Sequence, residues 1–224
     1  MDKLVVCLLA FMLAIGFAKE DRRCYAIVFS AGADKGAYQA GVVQGLVENL
    51  NSTDVAWEVV SGVAIGSINA ALLSVFDIGD EMSMVQELEA AWLNASKLNI
   101  YKNWPGGVVE GLFFKTGLYD STPLRETYRA IYRGRELKRK LDIGTTNLFN
   151  GTLTNFEMSV SEEEFLDILM ATTAMPVLFS PKNMIESTWY DGSATWSMDV
   201  GTAINRCAEM VPLDKITVDV VISA

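Results

Sequence analysis

The stretch of residues 59–72 constrains this chain more than any other part of the sequence. It begins as an apolar β-branched run, passes through a short turn that contains Gly62 and Gly66, and ends in small residues with helical spacing. A strand that turns this sharply into a helix presents one side chain at the top of a sheet. Glycines flank that residue because the strand end and the helix start approach too closely for a Cβ. The presented position is Ala64.

Such a turn usually presents a serine nucleophile, so this stretch has the layout of an acyl hydrolase site without the attacking oxygen. The chain also contains no histidine. This excludes a Ser-His-Asp or Cys-His unit and any histidine-ligated metal within the sequence. A hydrolase built on this turn would have to combine serine with a carboxylate, a chemistry that needs neither a metal nor another cofactor.

Length and composition favour one folded domain over residues 19–224. The chain has 224 residues, half of them hydrophobic, which is enough for a sizeable core. Its net charge of −10, from 18 basic and 28 acidic residues, argues against a nucleic-acid binder, which needs a basic face. The last apolar run ends close to the final residue, a pattern that favours a chain truncated at its C-terminal end. The sequence makes no prediction about the oligomeric state.

The first 18 residues have the pattern of a secretory leader. Lys3 precedes an apolar run at residues 4–15, and Ala18 ends a short segment suitable for cleavage. The run is too short to span a bilayer comfortably, so a signal peptide is favoured over a retained membrane anchor. We therefore expect a secreted protein or one in the lumen of the secretory pathway.

Two cysteines, Cys24 and Cys207, follow the leader. An even pair in an oxidising compartment predicts one disulfide, with two unpaired buried thiols as the alternative. Three sequons for N-glycosylation, at Asn51, Asn94 and Asn150, fit the same compartment. Each sequon alone is a weak signal, because such triplets occur often by chance.

A loop of small residues follows the first predicted strand, at residues 25–29, and precedes a helix at residues 37–50. A helix start reached through such a loop binds anions, because its backbone N–H groups point outward and the helix dipole is positive there. In a hydrolase the same arrangement supplies an oxyanion hole. The alternative is an ordinary tight turn between a strand and a helix.

Strands alternate with helices through most of the chain. Further strands are predicted at residues 55–62, 141–146, 153–158, 187–190 and 216–222, and helices at residues 65–75, 80–93, 123–132 and 162–172. Thr122 is expected to cap the third of these helices, and Ser161 with Glu164 to form a capping box for the fourth. The alternation predicts an α/β fold with a mainly parallel central sheet and helices on both faces.

Two segments fit this pattern less well. Residues 99–114 are expected to be irregular, with their aromatic side chains in the core under a loop; contact with an acyl chain or a membrane surface is the alternative. Residues 133–140 form the only basic cluster. We expect it to be a solvated helix end, with contact to anionic lipid as the alternative.

Three features follow one another along the chain: the small-residue loop at residues 31–36, the glycine turn at residues 62–66, and the pair Asp191-Gly192. Together they resemble the patatin-like phospholipase family. That family uses a glycine-rich oxyanion loop, a Gly-x-Ser-x-Gly elbow and an Asp-Gly pair to form a Ser–Asp dyad without histidine. Residues 35–41, 66–71, 117–125 and 171–181 also look like segments of that family, so the resemblance covers nearly all of the chain after the leader.

The resemblance implies a role for each matching residue. The serine nucleophile of the family falls on Ala64, and the general base falls on Asp191. Backbone N–H groups at Gly32, Ala33 and Asp34 would form the oxyanion hole. The motif glycines are Gly36, Gly62, Gly66 and Gly192. The substrate would be a lipid or phospholipid ester, reached at a membrane or lipid surface.

The chain also departs from the family pattern. Ala31 and Ala33 stand where the oxyanion loop has glycines, and Ser193 stands where Gly or Ala is usual. Ala64 cannot form an acyl-enzyme, and loss of the nucleophile costs serine hydrolases on the order of a million-fold in turnover. Ser67 is a poor substitute, because it should lie one turn into the helix and point away from the elbow.

Three interpretations follow. The first is a lipid acyl hydrolase of phospholipase A or lipase type whose serine has been replaced, so that the chain as written is inactive or severely impaired. The second is a secreted pseudoenzyme that binds lipid or a partner on the same fold. The third is a structural or storage protein. We favour the first as the function of the family.

Overall fold

Four apolar strands form the parallel centre of the sheet. The computed structural model describes residues 22–157 and 161–223, and the predicted leader lies outside the described residues. Within these ranges the strands are β1 (Cys24–Phe29), β2 (Val59–Val63), β3 (Lys140–Asn147), β4 (Leu153–Glu157), β5 (Lys182–Met184), β6 (Ser187–Asp191) and β7 (Ile216–Val221). β7, β1, β2 and β3 lie side by side in that order, and all are parallel.

The edge of the sheet beyond β2 is antiparallel. β4 returns along β3 as a hairpin, and Gly151 in its turn has a φ of 68°, a left-handed conformation that glycine adopts readily. β6 also pairs with β3, and β5 pairs with β6, both in antiparallel orientation. The structure therefore confirms the prediction of an α/β fold whose central strands are mostly parallel.

Helices cover both faces of the sheet. The described residues include α1 (Gly36–Asn49), α2 (Ile65–Ser74), α3 (Glu81–Leu93), α4 (Lys97–Ile100), α5 (Gly107–Phe114), α6 (Thr122–Tyr132), α7 (Glu162–Thr172) and α8 (Val200–Ala208). Alternate residues of β1 face opposite sides: Ile27 packs with core residues of α1, α2, α3, α6 and α7, whereas Val28 packs with α8. Cys24 forms a disulfide with Cys207, which joins β1 to α8. Across residues 22–157 and 161–223, every helix is too short or too polar to cross a bilayer.

The ends of two helices test the capping predictions. Thr122 is the first residue of α6 and does not cap it with its side chain. Instead, Asp120 Oδ1 accepts hydrogen bonds from the backbone N–H and the hydroxyl of Thr122. At α7 the capping box is confirmed, because Ser161 Oγ accepts from the Glu164 N–H while the Glu164 carboxylate accepts from the Ser161 backbone.

The strand predicted at residues 55–62 begins only at Val59. Residues 55–58 form a turn and a bend before it. The backbone N–H of Trp57 donates to the carbonyl oxygen of Val55, and its indole donates to Asp219 Oδ2 on β7 at 2.6 Å. These bonds direct Trp57 into the core, so the chain enters the sheet later than its apolar pattern suggests.

The expectation for residues 99–114 is wrong in part. Residues 101–106 lie outside helices and strands, but the segment also contains the end of α4 and the whole of α5. Tyr101 and Trp104 are half-buried, whereas Phe113 and Phe114 are 71% and 80% exposed. Hydrophobicity alone could not reveal this, since it says nothing about which side of a short helix meets the protein.

The basic cluster at residues 133–140 is mostly solvated, as expected, but Arg139 is buried. Its guanidinium pairs with Glu81 at 3.0 Å and donates to the backbone carbonyls of Trp57, Phe76 and Asp77. Arg135, Lys138 and Lys140 form surface ion pairs with glutamates. Much of the positive charge is therefore neutralised locally, which weakens the interpretation as an anionic lipid site.

A buried carboxylate lies beneath the sheet, on the side that faces α8. Asp142 on β3 is fully buried, and its oxygens accept no hydrogen bond from the described residues. Arg206 Nε lies 3.3 Å from one of these oxygens as an ion pair. Burial raises the pKa of Asp142 from 3.8 to about 6; Arg206 opposes this shift, whereas Glu157 and Glu209 add to it.

This raised pKa makes the stability of the fold pH-dependent. Between pH 3.8 and 6 the folded chain holds a proton on Asp142 that the unfolded chain releases, so Asp142 lowers stability progressively as the pH rises. We expect Asp142→Asn to remove this dependence. Relative to the parent, the free energy of unfolding of the variant should rise by about 2 kcal/mol between pH 4 and 6.5, because most but not all of the shift, at ~1.4 kcal/mol per pKa unit, titrates in that range. Urea unfolding across this range measures it, and Glu89→Gln, which changes an exposed carboxylate on α3 rather than one near Asp142, serves as the control. A difference that stays constant with pH would contradict the assignment.

Candidate active site

The turn after β2 holds Ala64 in a strained conformation. Ala64 has φ 53° and ψ −125° and directly precedes α2. A residue with a Cβ rarely adopts this region, which costs of order 1–3 kcal/mol and is found mainly at functional sites. The strain is the geometry expected of an elbow that lifts one side chain off the end of a strand. Ala64, which the sequence analysis places at the elbow, therefore has the backbone conformation expected of that position.

Close packing explains why glycines flank Ala64. A Cβ on Gly62 would lie 2.5 Å from the carbonyl oxygen of Gly66, and a Cβ on Gly66 would lie 2.5 Å from the carbonyl oxygen of Ser30. Neither distance is possible for a real side chain. The turn can close only where both positions are glycine, so the start of α2 packs directly on the ends of β1 and β2.

Asp191 lies at the end of β2 because two strands share one edge of β3. Along β3, Gly144 pairs with Val63 of β2, and the next residue, Thr145, pairs with Asp191 of β6. The other edge of β3 carries β4 at both positions. β2 and β6 therefore meet end to end, and Asp191 comes next to the elbow. Gly192 makes this possible, since a Cβ there would lie 2.4 Å from the Gly144 carbonyl oxygen.

The Asp191 carboxylate is buried and only partly satisfied. Its Oδ1 accepts from the Ser193 backbone N–H at 2.8 Å and from the Ser193 hydroxyl at 2.7 Å. Its Oδ2 accepts no hydrogen bond from any described residue. Burial raises the pKa of Asp191, and the two bonds from Ser193 oppose that shift. Oδ2 of Asp191 therefore belongs to a carboxylate with a raised pKa and is left free to accept a proton.

The loop between β1 and α1 presents three free amides. Ala31 N–H donates to the carbonyl oxygen of Ser197. The N–H groups of Gly32, Ala33 and Asp34 donate to no acceptor within residues 22–157 and 161–223. Ala33 has a φ of 49°, and both Ala33 and Asp34 line a cavity that also reaches Ala64. Successive free amides beside a helix N-terminus form an anion-binding concavity.

A buried polar network holds this loop at both ends. Gln39 Nε2 donates to the Ser30 carbonyl oxygen at 2.7 Å, and Asn69 Nδ2 donates to the Gly36 carbonyl oxygen at 3.0 Å. Asn69 also donates to Gln39 Oε1 and accepts from the Trp92 indole. The network ties α1, α2 and α3 together around the loop. Sequence reasoning did not assign this role, because the partners are far apart in the chain.

Thr172 at the end of α7 anchors the elbow itself. Its Oγ1 accepts from the Ala64 N–H at 2.9 Å and donates to the Gly144 carbonyl oxygen at 2.7 Å. It also lies 3.2 Å from the hydroxyl of Ser67. Ser67 is fully buried and does not line the cavity, so its hydroxyl does not face a molecule bound there. No motif points to Thr172, because its role depends on how α7 crosses the end of the sheet.

A cavity of about 970 Å³ opens over these groups. Ala33, Ala64 and Asp191 belong to its wall. Most of the remaining wall is apolar and comes from α2, α3, α6 and the segment before β5. It includes Ile68, Leu72, Leu88, Ile131, Met175 and Phe179. A concave, largely apolar site with a few polar groups is typical of small-molecule binding, and this one suits a hydrocarbon chain attached to an ester.

The other predicted site residues lie away from the cavity or at its edge. Gly36 opens α1, where a Cβ would lie 2.1 Å from the Trp92 ring. The three sequon asparagines, Asn51, Asn94 and Asn150, are exposed, and Asn94 also lies on the wall of the cavity. Groups of acidic residues or cysteines able to hold a metal ion do not occur among the described residues.

The network around Asn69 should contribute strongly to stability. Asn69→Ala removes three hydrogen bonds and leaves the buried Gln39 Oε1 and the half-buried Trp92 indole without this partner, so we expect the free energy of unfolding to fall by about 3 kcal/mol. Asn49→Ala, which removes one exposed bond to Gly45, should change it by less than about 0.5 kcal/mol. Urea unfolding of both variants provides the measurement. Equal effects would show that the network does not hold the loop.

Comparisons with known proteins identify the family of this chain. The sequence model of the patatin-like phospholipase family matches residues 27–204. No curated protein matches the chain. Among solved structures, the crystal structure of VipD from Legionella pneumophila is similar over 88% of this chain, with 13% sequence identity and a TM-score of 0.48. The chain spans about half of that structure, 49% of its length. The family match extends over most of the sequence, from β1 into α8, and the chain belongs to the patatin-like phospholipase family.

Proposed function

We propose that this chain has the active-site scaffold of a lipid acyl-ester hydrolase, of phospholipase A or lipase type, and lacks only the nucleophile. The observation that carries the proposal is the meeting of three features on one apolar cavity. They are the strained elbow at Ala64, the free Oδ2 of Asp191, and the free amides of Ala33 and Asp34, which follow that of Gly32 in the same loop. This combination matches the needs of acyl transfer through a Ser–Asp dyad.

The proposed reaction applies to a chain that carries serine at position 64. The serine hydroxyl attacks the carbonyl carbon of a lipid ester while its proton passes to Asp191 Oδ2. The free amides of the loop stabilise the oxyanion. The tetrahedral intermediate collapses to an acyl-enzyme, and the leaving alcohol takes the proton from Asp191. Water then attacks the acyl group, Asp191 accepts a proton from it and returns it to the serine, and the fatty acid leaves.

Alanine at position 64 stops this sequence before its first step. A methyl group has no lone pair and cannot form the acyl-enzyme, so turnover should fall on the order of a million-fold. Ala64 leaves the elbow, Asp191 and the cavity in place. The chain as written is therefore expected to bind lipid esters without cleaving them at a useful rate.

We assign the protein to the secretory pathway or the extracellular space. Supporting observations are the leader pattern of residues 1–18, the Cys24–Cys207 disulfide and the exposed sequon asparagines. The proposed partner is a lipid or phospholipid at a membrane or lipid surface, because the apolar cavity suits an acyl chain. The reaction as written uses no cofactor.

A lipid-binding pseudoenzyme is the second candidate. Ala31 and Ala33 favour it, because they stand where the family has glycines, and the Ala33 methyl group adds bulk at the wall of the cavity. Acyl chains retained in purified protein, identified by mass spectrometry after extraction, would support this candidate over a purely structural role.

Restoring the nucleophile tests the first proposal. Ala64→Ser should raise kcat/KM for a short-chain chromogenic ester and for a phospholipid by at least about a thousand-fold over the parent. Ala64→Ser/Asp191→Asn should remain at the parent level, since no base accepts the proton. A folded Ala64→Ser chain without activity would favour the pseudoenzyme. Turnover by the parent itself would show that the elbow is not the reacting centre.

The pH profile of the restored enzyme should report on Asp191. The carboxylate must be ionised to accept a proton, so kcat/KM should rise with pH through a pKa above the usual aspartate value. Removing the Ser193 hydroxyl in Ala64→Ser/Ser193→Ala should move this acidic limb to higher pH, because one bond that stabilises the charged form is lost. Ala64→Ser/Ser187→Ala is the control on the same strand. An unchanged limb would argue against Asp191 as the base.

A further inference from the structure

Helix α5 turns its smallest residue toward the protein and its large apolar side chains toward solvent. Its buried residue is Gly111, where a Cβ would lie 2.5 Å from the carbonyl oxygen of Leu118. No side chain fits between the helix and this backbone, so α5 must turn its smallest residue toward the protein. Its large apolar side chains are left on the solvent side, the reverse of the usual arrangement in a surface helix.

The outward side chains form one apolar surface, which we call the α5 patch. Its members are Val108, Val109, Leu112, Phe113 and Phe114, with exposed fractions of 46%, 64%, 62%, 71% and 80%. Val108 lies one turn before Leu112, and Val109 lies one turn before Phe113, so these side chains adjoin along the helix. Contiguous exposed apolar surface of this kind marks an interaction site.

The α5 patch is connected to the wall of the active-site cavity. Gly111 rests on Leu118, and the Leu118 N–H donates to the carbonyl oxygen of Val177. Val177 is itself 67% exposed. Two residues later, Phe179 lines the cavity, and its backbone packs against Gly117. Apolar residues therefore lead from α5 through Val177 to the site where an acyl chain would lie.

The surroundings of the α5 patch carry little net charge. Glu110 within the helix pairs with Lys115 directly after it at 3.4 Å, and Lys102 pairs with Asp120 at 3.3 Å. The whole chain has a net charge of −10, so anionic headgroups would repel it. A zwitterionic surface could receive the apolar side chains without that repulsion.

We propose that the α5 patch inserts into the interface of a zwitterionic phospholipid surface and holds the cavity wall against it. The inference rests on the proposed function, because a lipid hydrolase must take an acyl chain out of an aggregate. A helix that lies in the interface with its apolar side chains at the acyl boundary is a known mode of attachment. An acyl chain then moves from the bilayer to the cavity along apolar residues instead of crossing water.

Vesicle sedimentation tests the proposal on the full chain with Ala64, where no hydrolysis disturbs the lipid. We expect binding to phosphatidylcholine vesicles that is insensitive to salt and weaker when anionic lipid is added. Phe113→Ala/Phe114→Ala should lower the partition coefficient at least ~10-fold for each phenylalanine removed. Leu213→Ala removes an equally exposed apolar side chain next to the N-terminal end of β7, at the opposite edge of the sheet, and should leave binding unchanged. All variants share the same N-terminal residues, so those residues cannot produce the difference.

Three results would overturn the proposal. They are equal binding by the parent and the double phenylalanine variant, binding that requires anionic lipid and disappears at high salt, and a parent dimer that the double variant dissociates while neither chain binds vesicles. The last result would assign the α5 patch to a second copy of this chain. Thermal unfolding of each variant checks that the fold is retained.

Activity in the Ala64→Ser background separates this proposal from the proposed function. Phe113→Ala/Phe114→Ala should reduce hydrolysis of vesicle phospholipid at least ~10-fold and leave hydrolysis of a monomeric short-chain ester unchanged. An inactive Ala64→Ser chain that still binds vesicles through α5 would reject the hydrolase and retain the docking surface. An active Ala64→Ser chain that does not bind vesicles would do the opposite.

Discussion

The approach of α2 onto the ends of β1 and β2 is the constraint on which the rest of the site depends. Gly62 and Gly66 touch through backbone atoms, and Gly66 also contacts the backbone of β1. This packing forces Ala64 into a positive φ and points position 64 at the cavity. It also sets the start of α2, from which Asn69 reaches the loop after β1. A Cβ at either glycine would push α2 away from the ends of β1 and β2, so the residues of the site would no longer lie together.

The strain at Ala64 is sustained by bonds from distant parts of the chain. Thr172 accepts from the Ala64 amide and also donates to β3, so α7 clamps the elbow onto the sheet. Conformations that cost of order 1–3 kcal/mol persist only where the surroundings over-determine them. These bonds hold the elbow in this conformation with alanine at position 64. Because the elbow is already held in this conformation, a single Ala64→Ser change is expected to give the chain hydrolase activity.

The site combines a rigid polar edge with a large apolar wall. Asp191 is buried with one oxygen held by Ser193, and the loop amides are fixed through Gln39 and Asn69. Preorganised groups of this kind stabilise charge that develops during reaction without having to move. The apolar wall continues outward through Val177 to the α5 patch, and the proposed docking on a lipid surface uses this continuity. Binding and chemistry therefore draw on different parts of the same fold.

The sequence by itself determined the α/β class, the elbow, the capping box at Ser161 and the position of Asp191-Gly192 at the end of a short strand. These features depend on local patterns: apolar periodicity, glycines at a close approach, and side chains that bond to their own backbone. Tertiary structure alone decided that β6 meets β2 end to end on β3, that Thr172 and Asn69 hold the site, that Arg139 is buried, and that Phe113 and Phe114 face outward. Each of these depends on contacts between residues far apart in the chain. Local patterns do not encode such contacts, because a helix can turn either face to the core until its neighbours are in place.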